Sequence, residues 1–205
     1  MNTLNLYSDS IAGHFIGEAV NALRNGDIII VPTDSLYALA CDALNQKSIE
    51  TICRIKGINP DKNLLSIICS DISMAADYAR IDNRAFRILK EYLPGPFTFI
   101  LPASSKLPRV FKGRKTVGLR IPDNIIPTSL AENLEAPLMC ASVNAPLPDD
   151  AESVGQPSLI AEEYESLASL MIDSGEGNII PSTIVDITDP LSPIVIRQGL
   201  GQFNG

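Results

Sequence analysis

The chain has 205 residues, 45% of them hydrophobic, and a formal net charge of −8, which fits one sizeable domain with its own core and argues against non-specific nucleic-acid binding by the protein as a whole. No apolar run approaches the roughly 18 residues of a membrane span, and Met1-Asn2-Thr3-Leu4-Asn5-Leu6 lacks the basic and apolar regions of a signal peptide, so a cytoplasmic setting with no membrane partner is expected. Four scattered cysteines, with no Cys-x-x-Cys pair, and a single histidine argue against a zinc site and against Ser-His-Asp or Cys-His catalysis.

Ile11, Phe15, Ile16, Ala19, Val20 and Leu23 recur at helical spacing over residues 11–24, and Asn25-Gly26 closes the helix. His14 falls in that run and is expected on the helix surface. Residues 27–31 read as a strand stopped by Pro32, which cannot continue a ladder. A short helix over 48–56 and a buried strand over 64–69 follow. Asp71 and Asp82 are N-cap candidates for helices near 72–79 and 83–92, the second ended by Pro94-Gly95-Pro96. Strands are expected at 97–101 and 116–121, a helix at 125–134, a strand at 137–143 and a helix at 158–168. Three short strands close the chain near 169–172, 183–187 and 193–197. The Pro- and Asp-rich segment 145–157 is the candidate mobile loop. Strands and helices interleave without strict alternation, which predicts an α/β class with a mixed sheet and helices packed on it, in one domain.

Polar residues recur where these strands end: Thr33-Asp34-Ser35, Arg120 before Pro122, Ser142-Val143-Asn144, Ser182-Thr183, and Arg197 before Gly199. Thr33-Asp34 after a proline also fits a self-capping turn. Five such cases in order suggest one groove at one edge of the sheet, where α/β folds bind small ligands. Two basic clusters stand out in this acidic chain: Arg54, Lys56 and Lys62, and the run Lys106, Arg109, Lys112, Arg114, Lys115 and Arg120, which holds no acidic residue. They fit either a discrete anionic ligand or two solvated loops.

The ordered set resembles the YrdC/YciO family, the threonylcarbamoyl-AMP synthase family. The pieces that carry the resemblance are Pro32-Thr33-Asp34-Ser35-Leu36-Tyr37-Ala38-Leu39, Lys56-Gly57, Lys62, Leu93-Pro94-Gly95-Pro96-Phe97-Thr98, Gly118-Leu119-Arg120-Ile121-Pro122, Ala141-Ser142-Val143-Asn144, Ser182-Thr183-Ile184-Val185-Asp186 and Ile196-Arg197-Gln198-Gly199. The resemblance implies a YrdC-like domain over residues 10–200 after an N-terminal segment 1–9, folded as an open, twisted sheet with a positively charged concave face. It implies a nucleotidyltransferase that joins L-threonine, bicarbonate and ATP into threonylcarbamoyl-adenylate and pyrophosphate, for the N6-threonylcarbamoyladenosine modification of tRNA at position 37. Mg²⁺ would come with ATP, with no protein-bound metal. Double-stranded RNA binding is a further implied property. A chain of this family without an added C-terminal domain is expected to be a monomer.

Residue by residue, the resemblance implies Thr33 in the pocket for threonine or its carbamoyl product, and Lys56 and Lys62 facing the triphosphate. It implies Arg120 on the substrate carboxylate, for which its planar fork is suited. Ser142 and Asn144 would contact nucleotide phosphate or ribose, Ser182 the phosphates and amino acid, and Arg197 the nucleotide. Lys56, Arg120 and Ser142 are the expected catalytic set. The chemistry needs no covalent protein nucleophile; it needs positioning and cationic stabilisation of phosphate charge.

The family pattern Lys-x-Arg-Pro, two residues, then Lys-Pro-Leu reads here Lys56-Gly57-Ile58-Asn59-Pro60-Asp61-Lys62-Asn63-Leu64, with Ile58 for the arginine and Asn63 for the second proline. A lost charge-assisted contact is worth about 1.5–3 kcal/mol, on the order of 10–100-fold in rate or affinity. Ala145-Pro146 stands where Ser-Gly usually follows the Ser-x-Asn motif, and Tyr37-Ala38-Leu39-Ala40 stands for Tyr-Gly-Leu-Gly. These departures resemble the YciO branch more than the YrdC branch. Two readings follow: a synthase of reduced activity, or an RNA- or nucleotide-binding paralogue that kept the fold without efficient catalysis.

Overall fold

The computed structural model describes residues 1–6, 13–147 and 149–204. Ten strands form one mixed sheet: β1 (Asn2–Asn5), β2 (Ile29–Val31), β3 (Ala38–Asp42), β4 (Ser66–Ile68), β5 (Phe97–Pro102), β6 (Thr116–Arg120), β7 (Leu138–Ser142), β8 (Leu170–Asp173), β9 (Thr183–Asp186) and β10 (Ile194–Arg197). Their order across the sheet is β1-β8-β2-β3-β7-β4-β6-β5-β9-β10. Six helices pack on it: α1 (Gly13–Arg24), α2 (Gln46–Ile55), α3 (Ile72–Tyr78), α4 (Asn83–Tyr92), α5 (Ile125–Leu134) and α6 (Pro157–Glu163).

The two faces of the sheet are covered unequally. On one face Ile30, Leu39, Ile67, Phe99, Leu119, Met139 and Val185 pack with Ile49 and Ile52 of α2, Leu89 of α4 and Ile160 of α6. On the other, Val31, Ala38, Ala40, Ile68, Leu138 and Cys140 pack under Ala19, Val20 and Leu23 of α1 and Leu130 and Leu134 of α5. α1 and α5 cover the β1-to-β4 part of that face. Neither helix reaches β6, β5 or β9, where Thr98, Gly118 and Arg120 are nevertheless buried.

Asp71 and Asp82 cap α3 and α4 as expected: Asp71 Oδ1 accepts from Met74 N at 2.7 Å, and Asp82 Oδ1 from Ala85 N at 2.8 Å. All four cysteines are free and buried. Ile11 lies outside the described residues, as does the side chain of His14. Two strands are additions to the expected set. β3 is buried on both sides and built largely of Ala, Leu and Cys, so it shows no alternation. β1 is a short edge strand whose pairing with β8 places residues 2–5 in the same sheet. α6 ends at Glu163, earlier than the expected 168. Part of the segment expected to be mobile is anchored: Ala151–Gly155 form a 3₁₀ turn, the Ser153 hydroxyl is buried and donates to Asp150 O at 2.6 Å, and Gly155 O accepts from Gly177 N at 2.8 Å.

Candidate active site

The face packed by α1 and α5 carries a floor of small side chains beyond the two helices. By alternation Ser66 and Gly118 lie on it beside Cys140 of the helix-covered half, and Ser66 on β4 pairs with both. Position 118 has no room for more than hydrogen: a Cβ there would stand 2.5 Å from Ser66 Oγ and 2.9 Å from Thr98 Cγ2.

The loop after β2 folds across this floor. Thr33 shapes it, its Oγ1 accepting from Ser35 N at 3.0 Å and donating to Leu36 O at 2.7 Å. Asp34 then reaches β6: Oδ1 accepts from Arg120 Nη2 at 2.8 Å, and Oδ2 from the Asp123 backbone N–H at 2.9 Å. Arg120 Nη2 also meets Ser35 Oγ at 3.0 Å. β2 and β6 are separated by β3, β7 and β4, so only the folding of the loop over the face makes this ion pair. Arg120 is 4% exposed, and its buried Nε meets no hydrogen-bond partner among the described residues. Burial pushes the Asp34 carboxyl up from its ordinary value, opposed by the Arg120 charge and the Asp123 N–H.

Next to Arg120 lies a second set. The hydroxyls of Thr98 and Ser182 are 2.8 Å apart, and Ser182 O accepts from Arg197 Nη2 at 2.8 Å. Gly199 lets the segment after β10 lie flat on this turn, since a Cβ there would stand 2.2 Å from Pro181 O. Burial pushes the Arg197 guanidinium down from its ordinary value, and the nearby Arg120 charge adds to it. Two guanidinium groups against one carboxylate leave this corner net positive, with an unsatisfied donor inside it.

A third set closes the end of β7. Lys56, the C-cap residue of α2, donates from Nζ to Ser142 O at 2.6 Å and to Asn144 Oδ1. Asn144 N donates to the Tyr164 hydroxyl at 3.0 Å, which fixes the loop that holds the lysine. Burial pushes the Lys56 ammonium down from its ordinary value. Lys62 is exposed, and its carbonyl accepts from Arg114 Nη1 at 2.7 Å, so a guanidinium from the lead-in to β6 stands in the loop where Ile58 replaces one.

Arg120 and Ser142 therefore share a face of the sheet, but not an edge. β4 runs parallel to β6 and antiparallel to β7, so Arg120 and Ser142, each ending its strand, stand at opposite strand ends. Ser182 and Arg197 fall with Arg120, and Lys56 and Asn144 with Ser142. Lys56 comes from a helix on the covered face and reaches round the end of β7. The Thr33 hydroxyl is turned into its own loop. Five contributors were not among the expected site residues: Asp34, Ser35, Thr98, Tyr164 and Arg114. Thr98 carries a signal, a hydroxyl between two buried phenylalanines, and Arg114 belongs to the acid-free basic run; Tyr164 carries none, because its partner is distant in sequence. No group of three or more His, Cys, Asp or Glu side chains among the described residues is placed to hold a metal ion. No helix among them is long and apolar enough to cross a membrane.

The same fold recurs in known proteins. YciO of Escherichia coli (strain K12), an uncharacterized protein, is 36% identical over 198 residues, 96% of this chain and 94% of that protein. The crystal structure of E. coli YciO superposes with a TM-score of 0.88 at 35% identity, over 98% of both chains. The threonylcarbamoyl-AMP synthase of Pyrococcus abyssi (strain GE5 / Orsay) is 32% identical over 186 residues, 88% of this chain but 53% of that protein. The crystal structure of P. abyssi Sua5 complexed with L-threonine matches with a TM-score of 0.82 at 29% identity, over 97% of this chain and 58% of that one. The family model described as "Telomere recombination" matches residues 21–199, a span that holds every side chain of the three sets above, and the chain accordingly belongs to the Sua5/YciO/YrdC family.

Proposed function

We propose that this protein is a threonylcarbamoyl-AMP synthase-like nucleotidyltransferase, making L-threonylcarbamoyladenylate and pyrophosphate from L-threonine, bicarbonate and ATP for tRNA modification. The observation that carries the reading is Arg120: a buried guanidinium, oriented by Asp34 and Ser35, whose buried Nε is left without a hydrogen-bond partner among the described residues. A substrate carboxylate satisfies that donor, and a fork already held on one side loses little entropy on binding it. The name of the P. abyssi relative and its L-threonine complex support the same assignment.

In the reaction, a carbamate oxygen formed from threonine and bicarbonate attacks the α-phosphate, and pyrophosphate leaves. Mg²⁺ arrives on the triphosphate as part of the substrate and neutralises its charge. The chain's own part is positioning and cationic stabilisation. Arg120 and Ser182 orient the amino acid; Ser142 and Asn144 hold the nucleotide; Lys56, with Lys62 and Arg114 beside its loop, faces the phosphates; and Arg197 supports the nucleotide from the other side. Lys56 is partly desolvated and tethered by two oxygens, so its charge is aimed with little reorganisation.

The experiment is a pyrophosphate-release assay on purified protein. Release from ATP that requires both threonine and bicarbonate supports the reading. ATP or double-stranded RNA bound without release overturns it in favour of a binding paralogue, the reading favoured by the loss of a guanidinium at Ile58.

A further inference from the structure

The run of cations between β5 and β6 takes little part in the groove just described. Lys106 Nζ pairs with Asp77 at 2.5 Å, Arg114 leans on the Lys62 loop, and Arg120 is buried in its own pair. The remaining lysines go elsewhere. Lys112 and Lys115 line a separate cleft of about 410 Å³, joined there by Arg80 from the segment after α3, by Ser104 and Ser105, and by Phe111 on its apolar wall. No carboxylate lines this cleft. None of the three cations is in an ion pair within 4.0 Å among the described residues, where Lys106–Asp77 and Arg120–Asp34 are the pairs found.

The cleft is built rather than incidental. Its far wall is the bridge between Ala79 and Ala103, which ties the end of α3 to the end of β5, with Arg80 N donating to Pro102 O at 2.8 Å. Lys115 adopts a left-handed backbone conformation, φ 59°, locked by Ala103 N donating to its carbonyl at 2.9 Å. A lysine pays for that conformation, and such strain persists where the surroundings impose it, often at binding sites. Here it holds Lys115 in the lining of the cleft that Arg80 and Lys112 also line. In a chain of net charge −8, three cations without an ion-pair partner on one cleft give it a local positive potential that favours an anion. The apolar wall of Leu107 and Phe111, both buried, gives the rest of a small ligand a surface to lie on.

We infer that this cleft is a second anion site, distinct from the groove, which binds a small phosphorylated molecule through Arg80, Lys112 and Lys115. The inference does not depend on the proposed synthase activity. The volume suits a compact phosphorylated species, and the three cations converge from two segments on one cavity, where a nucleic-acid surface would spread them along a strip.

The test is a titration of the full chain, followed by ¹H–¹⁵N correlation spectra and calorimetry, with pyrophosphate and AMP as probes. The amides of Ser104, Ser105 and Gly113 should shift with either probe, and should still shift in a Lys56→Ala variant that weakens phosphate binding in the groove. Arg80→Gln with Lys112→Gln, both exposed positions, should lower the affinity of this site by at least about tenfold. That double variant should leave threonine-dependent pyrophosphate release as it is in the wild type. Shifts confined to the Ser142–Asn144 region, or a flat titration, would overturn the inference. So would a duplex RNA that shifts the Ser104–Gly113 amides where pyrophosphate and AMP do not, since the surface would then be a polyanion strip. Loss of release activity with the cleft titration intact would strike the proposed function and leave this site standing.

Discussion

Replacing Gly118 by alanine isolates what the small floor does. An added Cβ would lie 2.5 Å from Ser66 Oγ, 2.9 Å from Thr98 Cγ2 and 3.2 Å from Leu64 Cδ2. Ser66 can turn its hydroxyl away, but Thr98 is held by its hydrogen bond to Ser182, and Leu64 closes the third side. Overpacking of this kind costs about 1–3 kcal/mol, offset by about 0.5–1 kcal/mol because glycine is itself unfavourable inside a strand. The expected net loss is about 0–2.5 kcal/mol by urea unfolding. Threonine affinity, measured by calorimetry, should fall as well, because Thr98 can yield only by disturbing Ser182. Adding Ser66→Gly removes the nearest contact and should restore part of the stability without restoring threonine binding. A Gly118→Ala protein that is more stable than wild type and binds threonine unchanged would refute the idea that the recessed floor forms the site.

Arg120→Lys keeps the charge but loses the fork, and should weaken threonine binding by about 1.5–3 kcal/mol, on the order of 10–100-fold, in protein shown by circular dichroism to be folded. Ile58→Arg should raise threonine-dependent pyrophosphate release by up to about tenfold, or about 1.4 kcal/mol of barrier, at some cost in stability because Ile58 packs against the covered-face core; no change in rate would mean that Arg114 already fills that role or that this loop does not meet the phosphates. Burial holds the Asp34 carboxyl above its ordinary 3.8, so its contribution favours folding below that value and is lost as pH rises through the raised folded value; a carboxyl ¹³C titration with its midpoint at or below 3.8 would contradict the burial. ATP affinity should weaken steeply with added salt if the groove faces phosphate, and an affinity that stays flat would count against it.

The class of fold was legible in the sequence because its signals are local. Asp71 and Asp82 announced their helices through capping oxygens that bond two or three residues away, and strands such as Phe97–Pro102 showed alternation within themselves. The motif residues were legible one at a time for the same reason, since each follows an apolar run and each run ends in a proline, a glycine or a hydroxyl. β3 escaped because a strand buried on both faces has no periodicity to display, and β1 because its partner residues on β8 are 168 positions away, as in Asn2 with Leu170.

Tertiary structure alone decided how those residues meet. Strand direction put Arg120 and Ser142 at opposite ends, and nothing in either segment records which way its neighbour runs. The pairing of Asp34 with Arg120 across three intervening strands, the holding of Lys56 by a loop that Tyr164 fixes, and the gathering of Arg80 with Lys112 and Lys115 all depend on chain segments tens of residues apart. Side-chain chemistry is written residue by residue, but the field that aims it is a sum over neighbours that only the folded chain brings within reach.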